Sequence, residues 1–379
     1  MIALMILTMK YIQSCLRTLL LALSLMLCIS ESFAIEVEDL YQATIIVESR
    51  NNEQERRRAF SEAMREVLIK VSGLTSTTNP ASIRRALNNP EPFVESFRTE
   101  ADLLPSNPNE VTSVLREVVS IEVNFYESEI QRLLDENNIP VWSVNRPETL
   151  VWMVVEEELE ERQMLGDDNS SASTRINTLR SFTDERGLPL LFPLLDLEDQ
   201  LRLNVNKLWE LDEAAILNAS QRYQAESILA LRIYRSLSGE LLARSLYFFR
   251  GNVYSYEEFE LSEEDFIRGS INLASNELSQ YYSVLISGTE NSVKVNMQVD
   301  DINNPEDYAA LLNYLNALEG VSSFQLTRAH ESSLILQLET GGQLRQLVET
   351  IALEPSLQEV VELSRAGDAV SMHYRWVEN

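Results

Sequence analysis

In the otherwise charged stretch "NEQERRRAFSEAMREVLIKVSG", the apolar residues Phe60, Ala63, Met64, Val67, Leu68 and Val71 recur at spacings of three and four. That period predicts an amphipathic helix, and Gly73 supplies its stop. A strand is expected before it over Tyr41–Val47. Shorter helices are expected around Ala81–Leu87 and Glu91–Phe97, then a long strand in "TSVLREVVSIEVNFYE". Ser128 is placed to cap a further helix with Ile130, Leu133 and Leu134 on one face.

The pattern changes at Thr149–Val155, which is apolar on both faces and so suits a central buried strand. After an acidic and Ser/Asn-rich loop, "TRINTLRSFTDERG" reads as a helix. Leu188–Leu195 reads as a second apolar strand, and strand–helix–strand predicts a parallel pair with a right-handed crossover. A helix in "DEAAILNASQRYQA", two strands about a Ser-Gly turn and a long helix with Ile267, Ile271, Ala274, Leu278 and Tyr281 on one side complete this segment. The last segment alternates strictly through Val293, Val295, Met297 and Val299. A helix presenting Tyr308, Leu311, Leu312, Leu315 and Leu318, a hairpin, another helix, and closing strands in "EVVEL" and "AVSMHYRWV" then follow. The fold class expected is α/β and α+β. Tandem small α/β modules are divided at 35–145, 146–286 and 287–379, the last a ferredoxin-like βαββαβ sandwich with one extra strand.

Charge changes the picture of partners. Among 379 residues, 31 are basic and 59 acidic, a net charge of −28. Such a surface repels nucleic acid and anionic lipid and favours basic or neutral partners or metal cations. Lysine occurs only at positions 10, 70, 207 and 294, so arginine carries most positive charge and suits carboxylate pairing.

The N-terminus reads as an export leader. Lys10 and Arg17 precede the apolar run "LLLALSLMLCI", and Ser32 and Ala34 form a small-x-small cleavage pattern. Residues 1–34 are expected to be removed between Ala34 and Ile35, with Met9 an alternative start, leaving a periplasmic chain with no transmembrane span. Cys15 and Cys28 are the only cysteines, so the processed chain is expected to carry no disulfide and no thiol chemistry.

Motif readings are mostly exclusions. Thiolate zinc sites, H-E-x-x-H, G-x-S-x-G, the P-loop and the dinucleotide fingerprint are missing, and no cofactor is expected. His330, in an expected hairpin turn, and His373, on the polar face of its strand, read as solvated. The remaining chemistry is carboxylate chemistry: Glu156, Glu157 and Glu158 end one apolar strand, and Asp196, Glu198 and Asp199 follow the other. Were those strand ends neighbours, Glu156, Asp196 and Asp199 could hold Mg²⁺ or Ca²⁺. Against this, a buried strand emerging into solvent needs polar residues in any case, and Asp196 could simply cap a turn. Trp142 and Trp152 flank the first module junction, Trp209 precedes a helix and Trp376 closes the last strand; against an aromatic carbohydrate platform, inter-domain packing is the commoner use of such residues.

The pieces "LYQATIIVES", "VLIKVSG", "IPVWSVNRPETLVWMVV" and "GLPLLFPLLDLED" together resemble the domain-of-unknown-function family 2066 of Gram-negative bacteria, over about Asp39 to Arg250. The resemblance implies an exported, envelope-associated protein and carries over no catalytic residues. Two functions follow as expectations. The first is a non-enzymatic interaction or assembly module with an envelope protein as partner. The alternative is a divalent-cation-binding protein or metal-assisted hydrolase using Glu156, Asp196 and Asp199.

Overall fold

The computed structural model describes residues 34–377 apart from 38, 48–51, 106–114, 158–160, 167–172, 237, 260–261, 286–292, 319–320, 341–343, 355 and 361–370. The expected leader, except Ala34, lies outside the described residues, as do Glu158 and most of the segment joining the two closing strands.

The first sheet is antiparallel in the order β2 (Gln42–Val47), β4 (Leu115–Phe125), β3 (Val94–Pro105). Across it lies α1 (Glu53–Ser72), whose Asn52 cap accepts hydrogen bonds from the Gln54 and Glu55 amides. All six of its regularly spaced apolar residues are buried. Gly73 ends α1 at φ 71, its amide bonded to the Ile69 carbonyl, the left-handed cap that glycine adopts without strain. Ile83 and Leu87 of α2 (Ala81–Leu87) and Ile130, Leu133 and Leu134 of α3 (Glu127–Asp135) close the same core. The helix expected over Glu91–Phe97 is instead one 3-10 turn, Glu91–Phe93, and then strand β3. Pairing along the length of β4 outweighs the local helical preference.

The chain returns through β5 (Asn145–Pro147), which pairs antiparallel with β1 (Ala34–Glu36). It then enters β6 (Thr149–Glu156), whose burial explains its composition. Val151, Met153 and Val155 point into one core, and Leu150, Trp152 and Val154 into another. The sheet order is β11 (Asn252–Phe259), β10 (Leu241–Phe249), β9 (Ser227–Arg235), β6, β7 (Gln163–Leu165). One face is covered by α4 (Ser173–Arg186) and α8 (Glu263–Tyr282). The other is covered by α5 (Leu197–Arg202), α6 (Val205–Trp209) and α7 (Glu213–Ser220).

The strand expected over Leu188–Leu195 shrinks to β8 (Leu190–Leu191), two residues parallel to β6 at Thr149 and Leu150. Pro189 and Pro193 bracket it and supply no N–H to a ladder. The long parallel partner of β6 is β9, in register from Thr149–Ser227 to Glu156–Tyr234. Strand β11 had no counterpart in the pattern reading.

The last sheet has the order β13 (Val321–His330), β14 (Ser333–Thr340), β12 (Val293–Asp300), β16 (Ser371–Trp376), β15 (Leu357–Glu359). With α9 (Pro305–Ala317) and α10 (Leu344–Ile351) it forms the expected two-layer sandwich over its own core. The extra strand takes a distinctive place. The C-terminal β16 lies between β12 and β15 and runs parallel to β12.

Candidate functional site

Two helix ends meet where the first sheet's layer touches the central one. α4 closes with Gly187 at φ 58, the Leu188 amide bonded to the Thr183 carbonyl and the Gly187 amide to the Asp184 carbonyl. This paired closure leaves the last carbonyls of α4 facing inward. The last turn of α1 points its own carbonyls at the same place. Converging helix C-termini concentrate partial negative charge, and two buried arginines answer it.

Arg146, fully buried, directs five hydrogen bonds to five backbone carbonyls. Nε donates to Ser143 at 2.9 Å, Nη1 to Arg186 and Gly187 at 3.1 and 2.8 Å, and Nη2 to Lys70 and Trp142 at 2.9 and 3.1 Å. Its guanidinium also lies over the Trp142 ring, 4.1 Å from the centroid. Arg186 donates to the Gly73 carbonyl at 2.6 Å and to Asn272 and Asn276 of α8. Burial pulls its guanidinium down to about 10, well above neutrality. The packing admits no extra atom. A Cβ on Gly73 would stand 2.2 Å from Ser279 Cβ and 2.7 Å from the Trp142 ring, and one on Gly187 2.5 Å from Arg146 Nη1.

This clamp holds a trough in place. One half is a cavity of about 510 Å³ walled by Leu188, Leu190, Leu191, Phe192 and Leu194, with Arg180 and Asp184 at its edge. The other, about 500 Å³, shares Arg180 and Asp184 and is walled by polar groups, among them Asp39, Glu66, Lys70 and Glu185. Lys70 Nζ donates to the Gln42 carbonyl at 3.0 Å and stands 3.7 Å from Glu66. Burial lowers the Lys70 ammonium and raises the Glu66 carboxyl, each opposing the other's shift in part. Asp184 stands at the solvent edge, yet desolvation raises its carboxyl too. Its side chain has no hydrogen-bond or ion-pair partner among the described residues. Of the apolar wall, Leu194 is 67% exposed.

The structure does not bring Glu156, Asp196 and Asp199 into one ligating group, and no cluster of three or more metal-ligating side chains occurs among the described residues. The reason is arginine. Asp196 caps α5 through the Asp199 amide and accepts from Arg222 Nη1 at 2.8 Å. Fully buried Asp199 accepts from Arg222, Tyr223 and the Leu195 amide at 3.0, 2.6 and 2.9 Å. Burial, with that bond to Asp199, pushes the Tyr223 hydroxyl up to about 12. Glu156 pairs with Arg162 at 2.6 Å, Glu198 with Arg202 at 2.7 Å, and Glu157 with Arg175. The acids after "LPLLFPLL" therefore start a helix and lock it. His373 is half-buried with Nε2 2.6 Å from Asp300, where a solvated histidine was expected. His330 ends β13 opposite Ser333. Trp142 and Trp152 are buried, and Trp209 is flanked by Arg162 and Arg232.

Pattern reading passed over Arg146, Arg186, Lys70 and Asp184. The one available signal was the rarity of lysine, which makes Lys70 at the end of an otherwise apolar helix face conspicuous.

Residues 34–143 match the family model of a domain of unknown function (DUF8605). The match covers the first sheet and its helices and stops short of "NRPETLVW" and "PLLDLED". The matching family is thus a domain of unknown function as expected, but a different one from family 2066. No curated protein matches the chain. Among solved structures, the chain is similar to a competence-damaged protein (CinA) superfamily protein from Escherichia coli. That similarity has 11% identity, covers 40% of this chain and 86% of that one, and has a TM-score of 0.20. A likeness at that level carries no argument. No helix among the described residues is long and apolar enough to cross a membrane.

Proposed function

We propose that the chain is an exported, non-enzymatic interaction protein that holds a partner in the trough along residues 188–194. The observation that carries this reading is the trough itself. It joins an apolar half and a charged half, a buried clamp fixes its walls, and Leu194 in the apolar wall is exposed to solvent. Preformed concave surfaces with a few polar groups are the usual form of a binding site. Export rests on the N-terminal sequence, and cleavage after Ala34 would leave Ile35 and Glu36 to pair with Arg146 and Asn145.

The test places a photo-crosslinking residue at Phe192, in the trough, and at Glu240, on the exposed β9–β10 turn, of the chain expressed in intact cells. Discrete adducts are expected from position 192 only, on a form whose intact mass begins at Ile35. Equal labelling from both positions, or a form retaining the leader, would contradict the reading.

A further inference from the structure

We infer that the occupant of the trough is an extended polypeptide segment carrying a lysine or arginine beside a large apolar side chain. The cation would lie against Glu66 and Asp184, and the apolar group against Leu190–Leu194. The inference rests on the docking role proposed above and adds the chemistry of the partner.

The charge balance of the polar half is the first argument. Four carboxylates, Asp39, Glu66, Asp184 and Glu185, face two bases, Lys70 and Arg180. Lys70 is engaged by the Gln42 carbonyl and Glu66. Arg180 lies over the Phe192 ring, 5.6 Å from its centroid. Glu185 is taken by Arg268 at 2.6 Å. The Asp184 side chain is left with no hydrogen bond or close ion pair among the described residues; burial raises its carboxyl, and the charges of Lys70 and Arg180 offset that only in part. An incoming ammonium or guanidinium supplies what is missing.

The apolar half argues for what adjoins that cation. Leu190, Leu191 and Phe192 are only half-buried, so each has side-chain area left to cover. Leu194, in the same wall, is 67% exposed, so the apolar strip from Leu190 to Leu194 extends further than one small cation would reach, and a run of residues covers such a strip. Pro189 and Pro193 restrict strand addition at β8, so side-chain pockets rather than a long ladder would hold the segment. The net charge of −28 steers a basic segment inward and repels an acidic one.

The test selects twelve-residue peptides from a random displayed library on the full exported chain. Binding is then measured by fluorescence anisotropy to the parent and to Asp184→Asn, Asp184→Lys, Leu190→Ser and Glu66→Gln, with circular dichroism to confirm folding. Selected peptides are expected to share a Lys or Arg next to a Leu, Ile, Phe or Trp. They should bind at least tenfold more weakly to Asp184→Asn and to Leu190→Ser and weaken with salt, while Asp184→Lys selects acidic peptides instead. Asp184 is at the solvent edge, so its variants keep the test alive if Glu66→Gln misfolds. Peptides that need Leu190 but show no basic preference would overturn this inference and leave the docking role standing. Peptides indifferent to every trough substitution, or none selected, would overturn both.

Discussion

The central sheet meets its two neighbours in opposite ways. Toward the first sheet, contact is made by buried main-chain carbonyls and two guanidinium groups, closed by Gly73, Gly187 and the Trp142 ring. The Trp142 amide also bonds the Val71 carbonyl at 2.8 Å, and Val141 and Val284 exchange two backbone hydrogen bonds. Toward the last sheet, contact rests on half-exposed side chains. Arg250 reaches Glu349 at 3.2 Å, the Tyr281 hydroxyl reaches Glu349 at 2.5 Å, and Asn145 reaches Glu354 at 3.5 Å. Leu353, itself buried, packs into the central core. Desolvated guanidinium groups bonded to several buried carbonyls hold a fixed geometry because displacement leaves those groups unpaired. Exposed ion pairs are exchanged for water at little cost. The trough lies on the fixed side, which suits a site that must be preorganised.

The largest effect is expected from Arg146→Met. Five carbonyls would lose a charged donor in a buried place, a loss of about 3–5 kcal/mol, read as a lower urea midpoint with the fold retained. A loss under about 1 kcal/mol would mean that the clamp is not what joins the layers. Gly73→Ala comes next. It combines a left-handed backbone with atoms that a Cβ would overlap, for about 2–3 kcal/mol, measurable as a drop in thermal midpoint.

At the other junction, Arg250→Ala is expected to cost less than about 1 kcal/mol. A cost matching that of Arg146→Met would erase the distinction. The smallest effect concerns pH within the last sheet. Burial opposes ionisation of Asp300, but hydrogen bonds from Ser333, His373 and Gln298 prevail and hold its carboxyl below the ordinary value. A depressed carboxylate contributes stability that is fully present above the unfolded pKa and is lost as pH falls through the folded one. The stability gap between parent and Asp300→Asn should therefore be present at about pH 5 and close as the pH falls below about 4. A gap that widens on acidification would refute that sign.

Periodicity was informative where one element answers to one core. The α1 face was readable residue by residue, and the two-sided burial of β6 followed from its unbroken apolar run. It misled where a competing local rule acted, as when Pro189 and Pro193 cut an apolar run to a two-residue strand, or when β4 drew Val94 onward into a ladder. The clamp was not readable. Arg146 is buried because α1 and α4, distant in sequence, end at the same point with glycines at their caps. Likewise Asp196, Glu198 and Asp199 looked like ligands because Arg222, which engages them, comes from beyond the next two helices.

Distances between spin labels compare the two junctions in one molecule. With Cys15 and Cys28 replaced by serine, labels at Gln54→Cys and Glu240→Cys span the first junction, and labels at Glu240→Cys and Glu331→Cys span the second. A narrow single distance across the first and a broad distribution across the second are expected, with Arg146→Met broadening only the first. A first-junction distribution as broad as the second in the parent protein would contradict a clamped, preorganised trough.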